Sequence, residues 1–501
     1  MRTSRGNFTY LYEFCNSKYV MSRQYLLVIA FFLFSLFLHL IAIDYPKEAV
    51  FDEVHFGKFV SGYLTGEYFF DIHPPLGKLM IAGMAKLTGF NPNFDFLTIG
   101  EQYPNNQYIW LRLLPAFFGS LLAPLIFLLT FRLSRSLWAA CIAAIFIVFE
   151  NALLVQSKFI LIDSFLLFFG FAAIYFFLES RIFFDEGRWG IWTCIVAAIA
   201  SGFAFSVKWT GISFWGLLLS IGLIVLLKKI IAVYKRTRKK KELLKTVIGY
   251  ALLFLIPLII YVVFFAVHFN LLARKGPGNA FMNERFQKSQ VSGFPKQDFV
   301  DNFYELNLEM FRANKRIVAE HSYSSTWYTW PFMLRPVYYW NSDITAGEYS
   351  WHEKIYFIGN PFVWWLSTII VAYFFIYTFL RGLYYVFSRL WQTLPHTSAR
   401  ITQTSLEVFV PLFLGAAYLL NFLPFMFIGR VMFLYHYLTA LIVAIIITAL
   451  VLASRPKPRR VVMGFLIAGT VLGFFAMFPI TYGTVLDASW PSSVFWLKSW
   501  I

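Results

Sequence analysis

Stretches of about twenty mostly apolar residues recur along this chain, at roughly 25–43, 108–130, 137–155, 161–180, 189–207, 211–227, 247–269, 358–380, 407–426, 432–453 and 461–480. Hydrocarbon offers a backbone no hydrogen-bond partner, so a segment of that length and character crosses a bilayer as a helix, with its amides satisfied internally. A chain built this way is expected to fold as an all-α polytopic membrane protein with about 11 transmembrane helices. With 59% hydrophobic and only 14% charged residues, the composition excludes an ordinary soluble domain. The first apolar run is too long for a signal peptide, and Ile43-Asp44-Tyr45 lacks the small residues of a cleavage site, so it is expected to remain as a span. Cys15, Cys141 and Cys194 are too few and too scattered for a disulfide framework or a thiolate metal cluster.

The formal charge of +17 points to nucleic acid in a soluble chain, but in a membrane chain basic residues first serve topology. Arg2, Arg5, Lys18 and Arg23 precede the first run. Arg132 and Arg135, Arg181 and Arg188, the cluster from Lys228 to Lys245, then Arg381, Arg389 and Arg400, and finally Arg455, Lys457, Arg459 and Arg460 fall in alternate connections after it. The positive-inside rule therefore puts the N-terminus in the cytoplasm and the C-terminus outside. The resulting plan is a cytoplasmic segment 1–24, a membrane module 25–269 with an outer loop 44–107, a second outer segment 270–357, a four-helix module 358–480 and an outer tail 481–501. The run Lys235-Arg236-Thr237-Arg238-Lys239-Lys240-Lys241 is read as a topology signal beside anionic lipid, not as a nucleic-acid site. Lys158, Lys208 and Arg430 break the rule by falling in short outward connections, and Arg112 lies at the outer end of a span. A cation at that depth needs a partner, and four near one face point to a bound anionic group; singly, each also fits a snorkelling side chain or a pair with a loop carboxylate.

Two outer segments carry the remaining chemistry. In 44–107, Asp52 and Glu53 follow Ala49-Val50-Phe51, so low dielectric and mutual repulsion would raise one carboxylate toward the range of a base; the same pair would also serve as the N-cap of a helix running to Leu64. After Pro74-Pro75, Leu76, Leu79, Met80, Gly83, Met84 and Leu87 recur at helical spacing with Lys78, Ala82 and Lys86 on the other side, the pattern of an interfacial amphipathic helix. His73, held extended by the following prolines, presents its imidazole rigidly. His55, His73 and the nearby carboxylates match no compact ligand spacing, so no metal is expected. In 270–357 a polar helix is expected from Asp298 to Ala319, followed by the aromatic run His321 to Trp340, in which Arg335 and Trp330 suit either interfacial anchoring or the holding of a sugar or phosphate.

Taken in order, several motifs resemble one family. They are Asp52-Glu53-Val54-His55-Phe56-Gly57-Lys58, Phe69-Phe70-Asp71-Ile72-His73-Pro74-Pro75-Leu76-Gly77-Lys78, Leu111-Arg112-Leu113-Leu114-Pro115, Phe159-Ile160-Leu161-Ile162-Asp163 and Ser206-Val207-Lys208-Trp209. Further on come Tyr328-Thr329-Trp330-Pro331 to Leu334-Arg335-Pro336, Gly359-Asn360-Pro361 with Trp364-Trp365, and Pro424-Phe425 with Gly429-Arg430-Val431-Met432-Phe433-Leu434-Tyr435-His436-Tyr437. The set is similar to the protein O-mannosyltransferases, glycosyltransferases of GT-C architecture with amphipathic helices in their outer loops. The resemblance implies an inverting transfer of mannose from a polyprenyl-phosphate-mannose donor to Ser or Thr hydroxyls of secreted or membrane proteins, with the lipid-linked sugar as co-substrate and neither metal nor other cofactor.

It further implies Asp52 as general base with Glu53 as its alternate, and Arg112, Arg430, Lys208 and Lys158 as cations for the donor phosphate, Arg112 and Arg430 foremost. Asp163 would orient Lys158 or Lys208. Substrate contacts would fall to His55, His73, Asp71, Asp163, Arg335, Trp330, Tyr435 and His436. Segment 270–357 is too short for the β-trefoil (MIR) domain of fungal and animal members, so a prokaryotic form in the plasma membrane is expected, or the endoplasmic reticulum if the source is eukaryotic. The oligomeric state is open. The rival readings are a GT-C transferase acting on a lipid or cell-wall glycan and, more remotely, a transporter or flippase, against which the absence of an internal repeat speaks.

Overall fold

The computed structural model describes residues 5–184, 187, 190–237, 239–289, 299–317, 321–346, 349–391, 405–454, 459–487 and 494–500. Arg2, Arg188, Arg238, Arg400, Arg455, Lys457, Asp298 and Ala319 lie outside the described residues, as does 488–493 of the expected tail.

The first half runs α1 (Arg5–Leu40), α2 (Glu53–Thr65), α3 (Leu76–Leu87), α4 (Tyr108–Ser120), α5 (Leu122–Ser134), α6 (Leu137–Val148), α7 (Asn151–Lys158), α8 (Asp163–Leu178), α9 (Ile191–Val207), α10 (Ile212–Tyr234) and α11 (Lys240–Leu271). After α12 (Glu284–Ser289) and α13 (Phe299–Arg316) come strands β1 (Val337–Ala346) and β2 (Tyr349–Phe357). The chain closes with α14 (Pro361–Trp391), α15 (Ser405–Leu420), α16 (Leu438–Ala453), α17 (Arg459–Tyr482) and the short strand β3 (Leu486–Asp487).

Each expected apolar run forms helix. Among the described residues eight helical stretches are long and apolar enough to cross a membrane, or nine if the bent pair α6–α7 counts as one. The remaining two of the 11 expected spans are the shorter apolar helices α8 and α9, of 16 and 17 residues, at the lower end of spanning length. The bend between α6 and α7, 54°, has an identifiable cause. Glu150 leaves the helix with extended backbone and caps α7 by accepting the Ala152 N–H at 3.3 Å. Its carboxylate also accepts the Asn360 N–H at 2.9 Å, while Asn151 donates to the Thr481 hydroxyl at 2.8 Å. A polar seam thus fastens the bend to α14 and α17.

The all-α expectation holds for the membrane body and omits a three-stranded antiparallel sheet in the order β1-β2-β3. Val337 pairs with Phe357 and Tyr338 with Tyr356, after which the register slips and Trp340 faces Ile355. Tyr339 is the extra residue of that bulge, a device that re-aims a side chain and frees its backbone from the ladder. The outer loop is helical as expected. In α3 the side carrying Lys78, Ile81, Ala82 and Ala85 is buried against the protein, and Leu87 stays exposed, as an interfacial helix requires. Gly57 on α2 admits the ring of Phe96, which a Cβ there would overlap.

Candidate functional site

Asp52 stands at the N-cap position of α2, yet its carboxylate makes no capping hydrogen bond. The two readings of this residue therefore separate: the position is a cap, and the side chain is left for something else. The preceding Phe51 has φ +46°, a conformation a bulky residue adopts only when its surroundings hold it there. They do: the Phe51 N–H donates to the Tyr339 carbonyl at 3.1 Å, and the two rings stack at 4.1 Å. Half-buried Asp52 is pushed up to about 6, first by loss of water and further by Asp163 and Asp71, while His55 and Lys208 pull the other way.

Glu53 is different in kind. It is fully buried and accepts from the Val50 and Ile160 N–H groups at 2.9 and 3.0 Å, from the Tyr103 hydroxyl at 3.1 Å, and from Arg112 Nε and Nη2 at 2.8 Å each. Arg112, also 0% exposed, places its other N–H groups on the carbonyls of Pro46 at 2.8 Å, Glu48 at 2.9 Å and Ile43 at 3.5 Å. All five guanidinium donors are thereby used within the protein. Tyr103, Tyr108 and Phe159 enclose its flanks. The geometry speaks against Arg112 as the foremost phosphate ligand and against Glu53 as an alternate base: the two hold each other, and together they shape the loop that carries Asp52.

Lys158 is likewise enclosed, at the end of α7, with its ammonium 4.1 Å over the ring of Tyr482. Lys208 and Arg430 are placed differently. Lys208 ends α9 with extended backbone and reaches both carboxylate oxygens of Asp163, at 2.7 and 2.8 Å, so Asp163 partners Lys208 and not Lys158. Gln156 donates to the same carboxylate at 2.8 Å and accepts from the Tyr339 hydroxyl. Half-buried Arg430 donates to Asn314 Oδ1 at 2.7 Å and contacts His436 Nε2 at 3.3 Å. Asn314 on α13 in turn donates to the Ile72 carbonyl at 3.2 Å, which ties Arg430 to the turn that carries His73. Burial, with Lys208, Lys78 and Arg430 around it, holds His73 well below its ordinary value, so its imidazole is neutral near neutral pH. Asp71 is occupied as the partner of buried Lys78, which also donates to the His73 carbonyl at 2.7 Å and so fixes the turn.

His55 is exposed on α2 beside Asp52. Tyr435 lies under the Lys208 ammonium, 5.6 Å from it, and edge-on to Phe51. His436 is layered between Tyr435 and Trp330, and Trp330 itself is 0% exposed, which makes it a backing for the imidazole and not a contact surface. Arg335 donates to the carbonyls of Ser322, at 2.6 Å, and Ser499, at 3.1 Å. That clamp joins the approach to β1 with the 494–500 segment. A cavity of about 530 Å³ opens beside Arg430, its lining including Ser325, Thr326 and Thr329 together with Phe425, Met426 and Ile428. Among the described residues no three His, Cys, Asp or Glu side chains converge as metal ligands do.

The site therefore unites Asp52 and His73 from the first outer loop, Lys208 with Asp163 from the ends of α9 and α8, and Arg430, Tyr435 and His436 from the stretch before α16. Asn314, Gln156 and Tyr339 escaped the sequence reading. The available signal was a polar residue placed next to an already suspect cation or carboxylate, as Gln156 is to Lys158.

A family model described as dolichyl-phosphate-mannose-protein mannosyltransferase matches residues 29–273, and one described as the C-terminal four TMM region of protein-O-mannosyltransferase matches residues 299–500. The chain belongs to the protein O-mannosyltransferase family. Protein O-mannosyltransferase 1 of Drosophila melanogaster is 37% identical over 254 residues, 50% of this chain and 28% of that protein. Dolichyl-phosphate-mannose--protein mannosyltransferase 1 of Saccharomyces cerevisiae is 34% identical over 272 residues, 53% of this chain and 33% of that protein. The chain thus spans about a third of the length of these curated family members. The structure of the S. cerevisiae protein O-mannosyltransferase Pmt1-Pmt2 complex bound to the sugar donor superposes with a TM-score of 0.83 over 96% of this chain and 93% of that one, at 21% identity. The shared fold is the GT-C architecture expected from the motifs.

Proposed function

We propose that this chain is a glycosyltransferase that moves mannose from a polyprenyl-phosphate-mannose to Ser or Thr hydroxyls of proteins, with inversion, at the outer face of the membrane. The observation that carries the reading is Asp52: an uncapped, half-buried carboxylate raised to about 6, held by a strained backbone beside the Lys208, His73 and Arg430 group. A carboxylate of that kind is ionised at neutral pH and basic enough to take a hydroxyl proton. The acceptor oxygen attacks the anomeric carbon as its proton passes to Asp52; the bond from that carbon to the phosphate oxygen breaks, and polyprenyl phosphate leaves with the electron pair. Lys208 and Arg430 oppose the charge that develops on the leaving phosphate, and neutral His73 offers a hydrogen bond without competing for the charge. A single displacement needs one carboxylate on the acceptor side and no covalent glycosyl-enzyme.

The cavity beside Arg430, lined by both polar and apolar side chains, suits a phosphate head with its lipid chain. The names of the relatives, dolichyl-phosphate-mannose--protein mannosyltransferases among them, support both the donor and the protein acceptor. On this reading 44–107 is the catalytic loop of module 25–269, 270–357 and 358–480 complete the site, and no metal or other cofactor takes part. On the same reading the N-terminus is cytoplasmic and the C-terminus extracytoplasmic, in the plasma membrane or, if the source is eukaryotic, the endoplasmic reticulum.

The test is transfer of labelled mannose from polyprenyl-phosphate-mannose to a Ser/Thr-rich peptide by the purified full chain, beside Asp52→Asn. Transfer that the substitution abolishes, with donor binding retained, is expected. Donor turnover without peptide labelling would move the acceptor to lipid or glycan, and an Asp52→Asn variant of full activity would end the assignment of the base.

A further inference from the structure

We infer that Tyr339 and Gln156 are positioning residues that set both halves of the site at once, Asp52 through the backbone of Phe51 and Lys208 through Asp163. The inference rests on the reading of Asp52 and Lys208 given above. Its starting point is the β-bulge. Because the register of β1 slips between Tyr338 and Trp340, Tyr339 is left outside the ladder, and its carbonyl is free to accept the Phe51 N–H at 3.1 Å. Its ring stacks on Phe51 at 4.1 Å with the planes 11° apart. These two contacts hold a non-glycine residue at φ +46°, one peptide away from Asp52. A backbone conformation of that kind persists only where the surroundings over-determine it, and such positions cluster where geometry is functional.

The same side chain then reaches the other half. The Tyr339 hydroxyl donates to Gln156 Oε1, Gln156 Nε2 donates to Asp163 Oδ2 at 2.8 Å, and Asp163 receives the Lys208 ammonium on both oxygens. Tyr339 is 0% and Gln156 2% exposed, so water cannot replace a lost partner. The chain of donors has one sense. Each member has its hydrogen-bonding role fixed by the next, ending on a carboxylate that would otherwise be free to rotate and draw Lys208 with it. The ring of Tyr339 thus serves the base, and its hydroxyl serves the cation.

That division makes the two roles separable. In the full-length chain, Tyr339→Phe keeps the stack and the backbone bond and removes only the hydroxyl. It is expected to raise the donor KM about tenfold, with kcat and its fall below about pH 6 retained. Gln156→Met breaks the same chain one step later and is expected to match it, and the double variant to be no worse than either single. Tyr339→Leu also removes the ring: kcat is expected to drop a further tenfold or more, and the acid limb to shift toward lower pH as Asp52 relaxes into water. An unchanged donor KM in Tyr339→Phe, multiplying effects in the double variant, or identical behaviour of Tyr339→Leu and Tyr339→Phe would each overturn the inference. A wild-type chain that transfers no mannose would overturn the proposed function along with it, whereas an active wild type with an unaltered Tyr339→Phe overturns this inference alone.

Discussion

Arg112 offers the sharpest separation between a structural cation and a catalytic one. Replacing it with methionine keeps much of its apolar stem and removes every N–H that Glu53 and the carbonyls of Ile43, Pro46 and Glu48 now receive. Glu53 would keep the Val50 and Ile160 amides and the Tyr103 hydroxyl, but as a carboxylate with 0% exposure and no counter-charge. Breaking a buried pair by removing one partner costs about 3–5 kcal/mol, mostly the penalty of the stranded charge. For a chain of this length, with an unfolding entropy of about 2 cal/mol/K per residue, that lowers the thermal midpoint by about 3–5 °C. Adding Glu53→Gln removes the stranded charge and keeps an acceptor for one of the two amides; because the buried charge is the larger penalty, the Arg112→Met/Glu53→Gln pair is expected to be more stable than Arg112→Met alone. Thermal unfolding of the purified variants in detergent, read beside donor affinity, decides the matter. If Arg112→Met keeps its midpoint within a degree while donor affinity falls tenfold, the guanidinium is a phosphate ligand after all and the reasoning from its saturated donors fails.

Other outcomes follow from the same geometry. If Asp52 acts as its anion, as proposed, then with its carboxyl raised to about 6 kcat/KM should be level above pH 7 and fall about tenfold per unit below pH 6; a profile flat to pH 4.5 would contradict this. Lys208→Met should raise the donor KM about tenfold or more and be partly restored by Lys208→Arg, as measured by initial rates over a donor series, since Asp163 needs a cation and the phosphate needs a charge. Arg335→Ala should leave donor and acceptor KM within about twofold of wild type while making the 494–500 segment more sensitive to limited proteolysis; a large rise in either KM would return Arg335 to the substrate.

How far the sequence discloses this arrangement differs from element to element. The helices are legible because hydrocarbon allows only segments that satisfy their own amides, a rule written into residue after residue. What the apolar runs leave open is the spanning length of α8 and α9, 16 and 17 residues, since apolarity reports burial and not thickness. The strands were hidden because Val337 to Trp340 is rich in aromatics, which at a membrane face read first as anchors. Of the four cations marked by their depth, Lys208 and Arg430 lie in the site and Arg112 and Lys158 are sealed away. Depth says that a charge has a partner; only the fold says whether that partner is a ligand or Glu53. Asp52 could be seen next to Glu53 but not told apart from it, because their difference lies in Ile160, Tyr103 and Arg112, all distant in sequence.

The bulge at Tyr339 bears on the order in which the enzyme comes into being. A chain threaded into the membrane from its N-terminus delivers Asp52 early, while Tyr339, Arg430 and His436 are still to be synthesised. Until β1 arrives, the Phe51 N–H lacks its carbonyl partner and its ring lacks the stack, although the Glu53–Arg112 pair already holds the neighbouring backbone. On the proposed reading the carboxylate is therefore brought to its final setting only when the later half of the chain packs over the first loop.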